Sequence, residues 1–561
     1  MVKKLLGFLG REIKGLHEAA YVLAVFALLS QVLGLVRDRL FASYFGAGEM
    51  LDVYYAAFRI PDFIFTIMIA LVSSSVLVPY LIRIFETEPE RSEMFRNSIF
   101  TGLLVLAGAL SIGTFFLARP LLGVLFPAMM AGSYADTLVV MTQIMLLQPI
   151  LLAVSGFFAS YMQVFHKFFM YALSPLFYNI GIILGIVWLY PLFGLPGLAW
   201  GVVLGAGLHM LSQAIPVQTH GIVPRFIWCP DWRMIRDVFT LSLPRTIAVA
   251  GGQITSLVLV SLAGLMTAGS ISIFTLAHNL QSVPMAIIGV SYSMAAFPTL
   301  ARLFAQGDVD TFLGHITRAA RHIIFWSVPV MVLFVVLRAQ IVRTILGSGS
   351  FGWSETRLVA AALALFAISV VAQSLILLFV RGYYAMGETF RPVRYASVSI
   401  VITIIAAFGL YELYQASPYF VAVLEDLLRV SGETGTIVLV LPLAFSIGQI
   451  SYALMLWFSF SRRFKCFTVA LWKSIFHTVV ASISMGIVAY VMLQVLDDVF
   501  DINTLLGIFS QGAIAGVAGI VAGILVLVVI KNEEVHTVGR TLHSKFWKKA
   551  EIVVVEVEEE L

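Results

Sequence analysis

Apolar stretches of about 20 residues, separated by short polar or charged clusters, recur along the whole chain. Each is long enough to cross a hydrocarbon core of ~30 Å as a helix. The pattern predicts helices near 19–43, 50–82, 96–118, 134–162, 168–190, 196–217, 238–266, 268–301, 314–337, 357–386, 391–411, 437–461, 470–494 and 504–530. The expected fold class is therefore an all-α polytopic membrane protein of about fourteen transmembrane helices. The two-residue alternation of a transmembrane β-barrel is absent.

Composition agrees. The 561 residues are 60% hydrophobic and 12% charged, too few charges to cover a soluble surface of this size. The two cysteines, Cys229 and Cys466, are too few for a disulfide framework. The first 18 residues lack an uninterrupted apolar core and a small-residue cleavage site, so they do not read as a signal peptide. Leu5, Leu6, Leu9, Ile13 and Leu16 fall at helical spacing among basic residues, which predicts an interfacial helix over 1–18.

Basic residues orient the chain. With the N-terminus inside, 25 of the 35 Lys and Arg fall in cytoplasmic segments, 5 in the opposite loops and 5 within spans. That excess places both termini in the cytoplasm. No loop is long enough for a soluble domain. The longest outer loops are about 338–356 and 412–436, and the inner stretch 218–237, with FIWCPDWRMIRD, is expected on the membrane surface. The acidic end 551–561 is expected to be poorly ordered.

An internal repeat divides the chain. VLVPYLIRIF at 76–85 answers AAFPTLARLF at 295–304, pairing Pro79 with Pro298, Arg83 with Arg302 and Phe85 with Phe304. Tyr161 and the loop before Phe168 answer Tyr384 and the loop before Arg391, and Gln31 answers Gln253, all at offsets of 219 to 223. The expected organisation is two six-helix halves, 19–217 and 238–461, joined by a surface linker at 218–237. A helix pair at 470–530 and a cytoplasmic tail at 531–561 follow. Repeated halves around a mid-membrane site are the usual build of alternating-access transporters.

Charges inside the spans are the chemical signal, since one at the bilayer centre costs roughly 2.5–3.5 kcal/mol on insertion scales. Ser30 and Arg37 are seven apart on one helix face, and Gln31 and Asp38 form an adjacent stripe. Asp52 and Arg59 are also seven apart, with Pro61 and Asp62 just beyond. The arginine fork suits phosphate, so an anionic headgroup is the natural ligand of Arg37 and Arg59. The competing reading pairs Arg37 with Asp52 or Asp38, and Arg59 with Asp62, as internal salt bridges. Arg39 is expected to snorkel to the outer interface. His278, Asn279, Gln281 and Ser282 form a polar turn before Pro284 that could line a cavity or bond neighbouring helices. Arg381 and Glu388, seven apart near the cytoplasmic face, read as a gating pair or an interfacial anchor. Asn179 and Gln253 read as structural glue.

No arrangement for catalysis occurs: neither a G-x-S-x-G elbow, a phosphate-binding glycine loop, nor His, Asp and Glu at metal-ligand spacing. An enzyme, a metal, a cofactor and a nucleic-acid partner are not expected.

SQVLGLVRDRLFASYFGAGEMLDVYYAAFRIPDF at 30–63 resembles the first two helices of the MurJ/MviN lipid II flippases, within the multidrug/oligosaccharidyl-lipid/polysaccharide exporter superfamily. LSPLFYNIGIILG at 173–185, GVSYSMAAFPTLARLF at 289–304, YYAMGETFRPVRY at 383–395 and LAFSIGQISYALMLWFSFSRR at 443–463 extend the resemblance over almost the whole chain. It implies a monomeric protein of the bacterial cytoplasmic membrane. Such a protein moves undecaprenyl-diphosphate-linked peptidoglycan precursor between leaflets, with Arg37 and Asp52 at family cavity positions and the lipid tail beside the last two helices. There are departures. Gln31 stands where the family has a basic residue, FIFTIMIALV at 63–72 replaces an arginine-containing stretch, and Asn279 replaces an arginine. Span eleven has no acid for the sodium site of some members. The alternatives are a flippase for another polyprenyl-linked glycan, a cation-coupled exporter of the same superfamily, and a non-transporting scaffold for cell-wall enzymes.

Overall fold

The structure is a computed structural model that describes residues 16–71, 77, 78, 81, 84, 89–165, 167–219, 223–464 and 467–535. Most of the expected interfacial helix, the repeat positions Pro79, Arg83 and Phe85, Cys466 and the acidic end lie outside the described residues. Every regular element among the described residues is helical. Fourteen long segments follow in order: α1 Leu16–Phe45, α2 Glu49–Leu71, α3 Ser92–Leu125, α4 Ala135–Val164, α5 Phe168–Phe193, α6 Leu195–Thr219, α7 Trp232–Ala263, α8 Ser270–Ala305, α9 Val309–Val336, α10 Trp353–Ala385, α11 Phe390–Ala416, α12 Thr436–Arg463, α13 Phe467–Val495 and α14 Leu505–Val529.

Twelve of these, all but α1 and α7, are long and apolar enough among the described residues to cross a membrane. α1 and α7 occupy the places of the first and seventh expected spans and are 30 and 32 residues long. The expected outer loops are largely helical. Arg338–Leu346 forms a short helix, and α11 runs on to Ala416 before a second helix, Pro418–Leu428. The Ser417 side chain starts that second helix by accepting from the Phe420 N–H at 3.3 Å, with Pro418 at the first helical position. Two spans carry a π turn, Gly185–Leu189 in α5 and Ala286–Val290 in α8. In α8 it directly follows Pro284, whose missing N–H breaks the ladder there.

Contacts group the chain into two compact units, and the division runs through α8, α10, α11 and α12 rather than between helices. The first unit holds residues 1–283, 342–366 and 393–451. In it α5 and α6 approach to backbone contact. A Cβ on Gly185 would lie 2.6 Å from the Gly201 Cα, and one on Gly181 would overlap Gly205. Only glycine allows that approach, and van der Waals packing is what holds helices together in lipid. The approach fixes the face of α5 that carries Asn179. Residues 225–231 of the linker lie against α3, where three buried side chains take its backbone donors. Asn97 accepts from Arg225 N at 2.9 Å, Thr101 from Ile227 N at 3.0 Å and Ser98 from Asp231 N at 3.0 Å. Phe226, Trp228 and Trp232 stay exposed beside this anchored strip.

The second unit holds residues 284–341, 367–392 and 452–561. Phe379, Tyr383 and Phe460 are fully buried in it, and the Tyr383 hydroxyl donates to Ser459 at 2.8 Å. α13 and α14 pack through Gly519 and Gly523 against Met485. The repeat partners Tyr161 and Tyr384 differ in setting: Tyr161 is buried and Tyr384 is 40% exposed.

Gly201→Ala sets a methyl against the Gly185 backbone, whereas Gly207, on the same helix, has nothing within 4 Å of its missing Cβ. Gly201→Ala is expected to cost about 1–3 kcal/mol and lower the thermal midpoint of purified protein, while Gly207→Ala leaves it unchanged. Equal midpoints would show that α5 and α6 do not touch along this line.

Candidate functional site

The charged residues of α1 and α2 meet α5, α7 and the start of α8 within the first unit. The α1 spacing places Ser30 and Arg37 on one face, and both reach the same amide on α5. Arg37 Nη1 donates to Asn179 Oδ1 at 3.1 Å, and Asn179 Nδ2 donates to Ser30 Oγ at 3.4 Å and to the Pro175 carbonyl at 3.2 Å. Arg37 also holds Asp38 through Nε at 3.0 Å and Nη2 at 2.8 Å. The second Asp38 oxygen accepts from Asn279 Nδ2 of α8 at 3.0 Å. A chain of bonds thus runs Ser30–Asn179–Arg37–Asp38–Asn279 across three helices. Asp38 is buried, whereas the Arg37 side chain remains 23% exposed.

Asp52 does something different. Its carboxylate accepts from Gly269 N at 2.7 Å, Ser272 N at 2.7 Å and Ser272 Oγ at 2.6 Å, which satisfies donors left free at the N-terminus of α8. Gly269 has φ +91, and a Cβ there would strike the Ala47 carbonyl, so glycine is required at this junction.

Arg59, seven residues on, also meets α8 and reaches α7 as well. Nη1 donates to Ser256 Oγ of α7 at 3.3 Å and Nη2 to Thr275 Oγ1 of α8 at 3.1 Å. Its Nε is buried with no partner among the described residues, as are the Tyr55 and Tyr178 hydroxyls. Tyr55 lies near Arg37, Asp38 and Arg59, and Tyr178 lies near Arg37 and Asp62. Asp62 is near Arg59 but forms no ion pair with it among the described residues. Of the salt bridges weighed from sequence, only Arg37–Asp38 forms there.

The polar turn of α8 divides. Asn279 joins the network, and Gln281 is fully buried. His278 sits in an aromatic box, stacked on Phe274 at 6.2 Å and edge-on to Phe366 at 5.4 Å and Phe445 at 5.5 Å. Gln253 of α7 donates to Thr66 of α2 at 3.1 Å. Glu388, in the second unit, is held by Arg391 at 2.9 Å and by Arg463, not by Arg381. Arg39 Nη1 donates to the Thr344 carbonyl at 2.7 Å and the Ile345 carbonyl at 3.1 Å, since the end of a helix offers unpaired acceptors. No group of three or more His, Cys, Asp or Glu able to hold a metal occurs among the described residues.

Sequence reasoning missed Tyr55, Tyr178, Ser256, Thr275 and the Ser272–Gly269 junction, and it read Asn179 as structural glue without joining it to Arg37. Asn179 and Ser30 are 149 residues apart, so no helical periodicity could join them.

Helices of membrane length share buried charges among α1, α2, α5, α7 and α8, and solved structures have the same fold. The chain is similar to an inward-facing multidrug resistance MATE family transporter of the MOP superfamily, with a TM-score of 0.61 and 15% identity over 78% of this chain and 96% of that one. It is also similar to a lipid II flippase MurJ in an inward closed conformation, with a TM-score of 0.73 and 23% identity over 93% of this chain and all of that one. The family model described as Lipid II flippase MurJ matches residues 41–510, and the chain belongs to that family. The lipid II flippase MurJ of Burkholderia cenocepacia is 25% identical, over 69% of this chain and 77% of that protein. The probable lipid II flippase MurJ of Vibrio cholerae is 28% identical, over 70% and 77%.

Asn179→Ala removes the acceptor for Arg37 and the donors to Ser30 and Pro175. A loss of about 1–3 kcal/mol is expected as a lower thermal midpoint. Asn179→Asp, which keeps the acceptor, should fall between. A midpoint unchanged by Asn179→Ala would mean that the amide does not hold Arg37.

Proposed function

We propose that this protein moves undecaprenyl-diphosphate-linked peptidoglycan precursor from the inner to the outer leaflet of the bacterial cytoplasmic membrane by alternating access. Membership of the lipid II flippase MurJ family supports the reading. The observation that carries it at the site is a set of buried donors without acceptors among the described residues, Arg59 Nε and the Tyr55 and Tyr178 hydroxyls, beside a partly exposed Arg37. Buried donors of this kind cost about 1–3 kcal/mol each when unmet, and the oxygens of a diphosphate would meet them.

The mechanism follows from the bonds. Asp38 holds Arg37, and an arriving diphosphate takes its place on the guanidinium. Asp38 keeps Asn279, so the carboxylate is not stranded. Arg59 adds a second charge, held in direction by Ser256 and Thr275. Movement between leaflets forms and breaks no covalent bond, and requires two states that hold the headgroup comparably. Both termini are cytoplasmic in this reading, all fourteen helices cross, 19–217 and 238–461 are the moving halves, and 470–530 carries the helix pair beside the lipid tail. The protein acts as a monomer.

The test is leaflet accessibility of lipid II in cells that depend on this protein alone. Arg37→Ala and Arg59→Ala are each expected to reduce outer-leaflet lipid II on the order of tenfold, the effect of losing one charge-assisted hydrogen bond. Normal flipping with both arginines replaced, in protein that still inserts, would overturn the assignment.

A further inference from the structure

Arg39 is two residues beyond Arg37, so it leaves α1 on the opposite side of the helix. There its guanidinium meets the last turn of the helix Arg338–Leu346. The Arg343 carbonyl is taken by Gly347 N at 2.9 Å, and Arg39 binds the next two carbonyls, Thr344 and Ile345. The loop that follows is pinned to α1 as well. Ser350 N donates to the Ser43 carbonyl at 2.9 Å, and Gly349, at φ +57, lies so close to Ser43 that a Cβ would collide with it. The loop is itself braced, by Arg343 Nη1 on the Phe351 carbonyl at 2.8 Å and by Glu355 on Gly352 N at 2.9 Å.

At this end of α1 and α2 two charges therefore grip two helix ends of opposite polarity. Asp52 grips the N-terminus of α8, and Arg39 grips the C-terminus of Arg338–Leu346. Each charge complements the partial charge of the helix end that it meets. Both gripped helices belong to the sequence half opposite to the one carrying the charges.

We infer that Arg39 is a clasp that holds the outer side of the transporter shut, and that it must release for the outward-open state to form. This rests on the alternating-access reading above, and extends it to a residue outside the headgroup site. Arg37 and Arg39 share one rigid helical turn, so displacement of Asp38 from Arg37 by a headgroup shifts the same turn that carries the clasp.

The test is a distance measurement by pulsed electron resonance in nanodiscs. Spin labels replace the exposed Tyr44 and Tyr419, in a background with Cys229 and Cys466 changed to serine. Arg39→Ala should raise the ratio of long to short distances on the order of tenfold, and Arg39→Lys, which retains one donor group, should raise it less. Arg39→Gln is read alongside in case Arg39→Ala fails to fold. Asp52→Asn serves as the control that opening is visible. If Asp52→Asn lengthens the distances while neither Arg39→Ala nor Arg39→Gln does, the clasp is wrong. Lipid II movement is scored separately. Lengthened distances without lipid II movement would remove the proposed function and leave the clasp standing.

Discussion

An ionised side chain among apolar helices has little bulk water to turn to, and every membrane-embedded charge described here is placed by that constraint. The chain meets it in three ways. Arg37 and Asp38 neutralise each other on one turn of α1. Asp52 takes its donors from a helix beginning, and Arg39 its acceptors from a helix ending. Arg59 relies on hydroxyls alone, and its Nε is left unmet. The first two solutions are closed within the protein. The last is open, and an open solution is what a ligand completes.

The same constraint ties the site to the scaffold. Asn179 can reach α1 only because α5 lies flush on α6, along a line of glycines where a single methyl would force the backbones apart. Asp52 can reach Ser272 only because Gly269 turns tightly past Ala47. Packing distance and charge placement are thus one property in this bundle. A change that only adds volume between α5 and α6 moves a hydrogen-bond partner of Arg37.

Hydropathy carried most of the fold, because an apolar run of membrane length has one stable backbone solution in lipid. It could not show that 338–356 and 412–436 are partly helical, since short helices outside the membrane leave weak apolar runs. The site was legible where partners share a helix: Ser30 with Arg37, and Asp52 with Arg59, face common neighbours as their seven-residue spacing requires. It was illegible where the partner comes from another helix. Nothing in RDR at 37–39 says that the first arginine turns to an amide on α5 and the second to carbonyls beyond α9. Asn179 and Gln253 looked alike as lone amides, yet one positions a buried guanidinium and the other bonds a threonine.

Asn279 is the position where this chain departs most instructively from the pattern that it resembles. An arginine there would compete with Arg37 for Asp38, leaving one carboxylate between two guanidinium groups and a surplus positive charge to attract the headgroup. The neutral amide instead donates one hydrogen bond to the far oxygen of Asp38 and leaves the charge of that carboxylate to Arg37. Attraction then falls to Arg59, whose hydroxyl partners carry no charge to cancel it. A site with less standing positive charge holds a diphosphate less tightly, and it also releases it more readily. For a protein that must let go of its passenger on the far side, weaker holding in both states costs less than a deep well in either one.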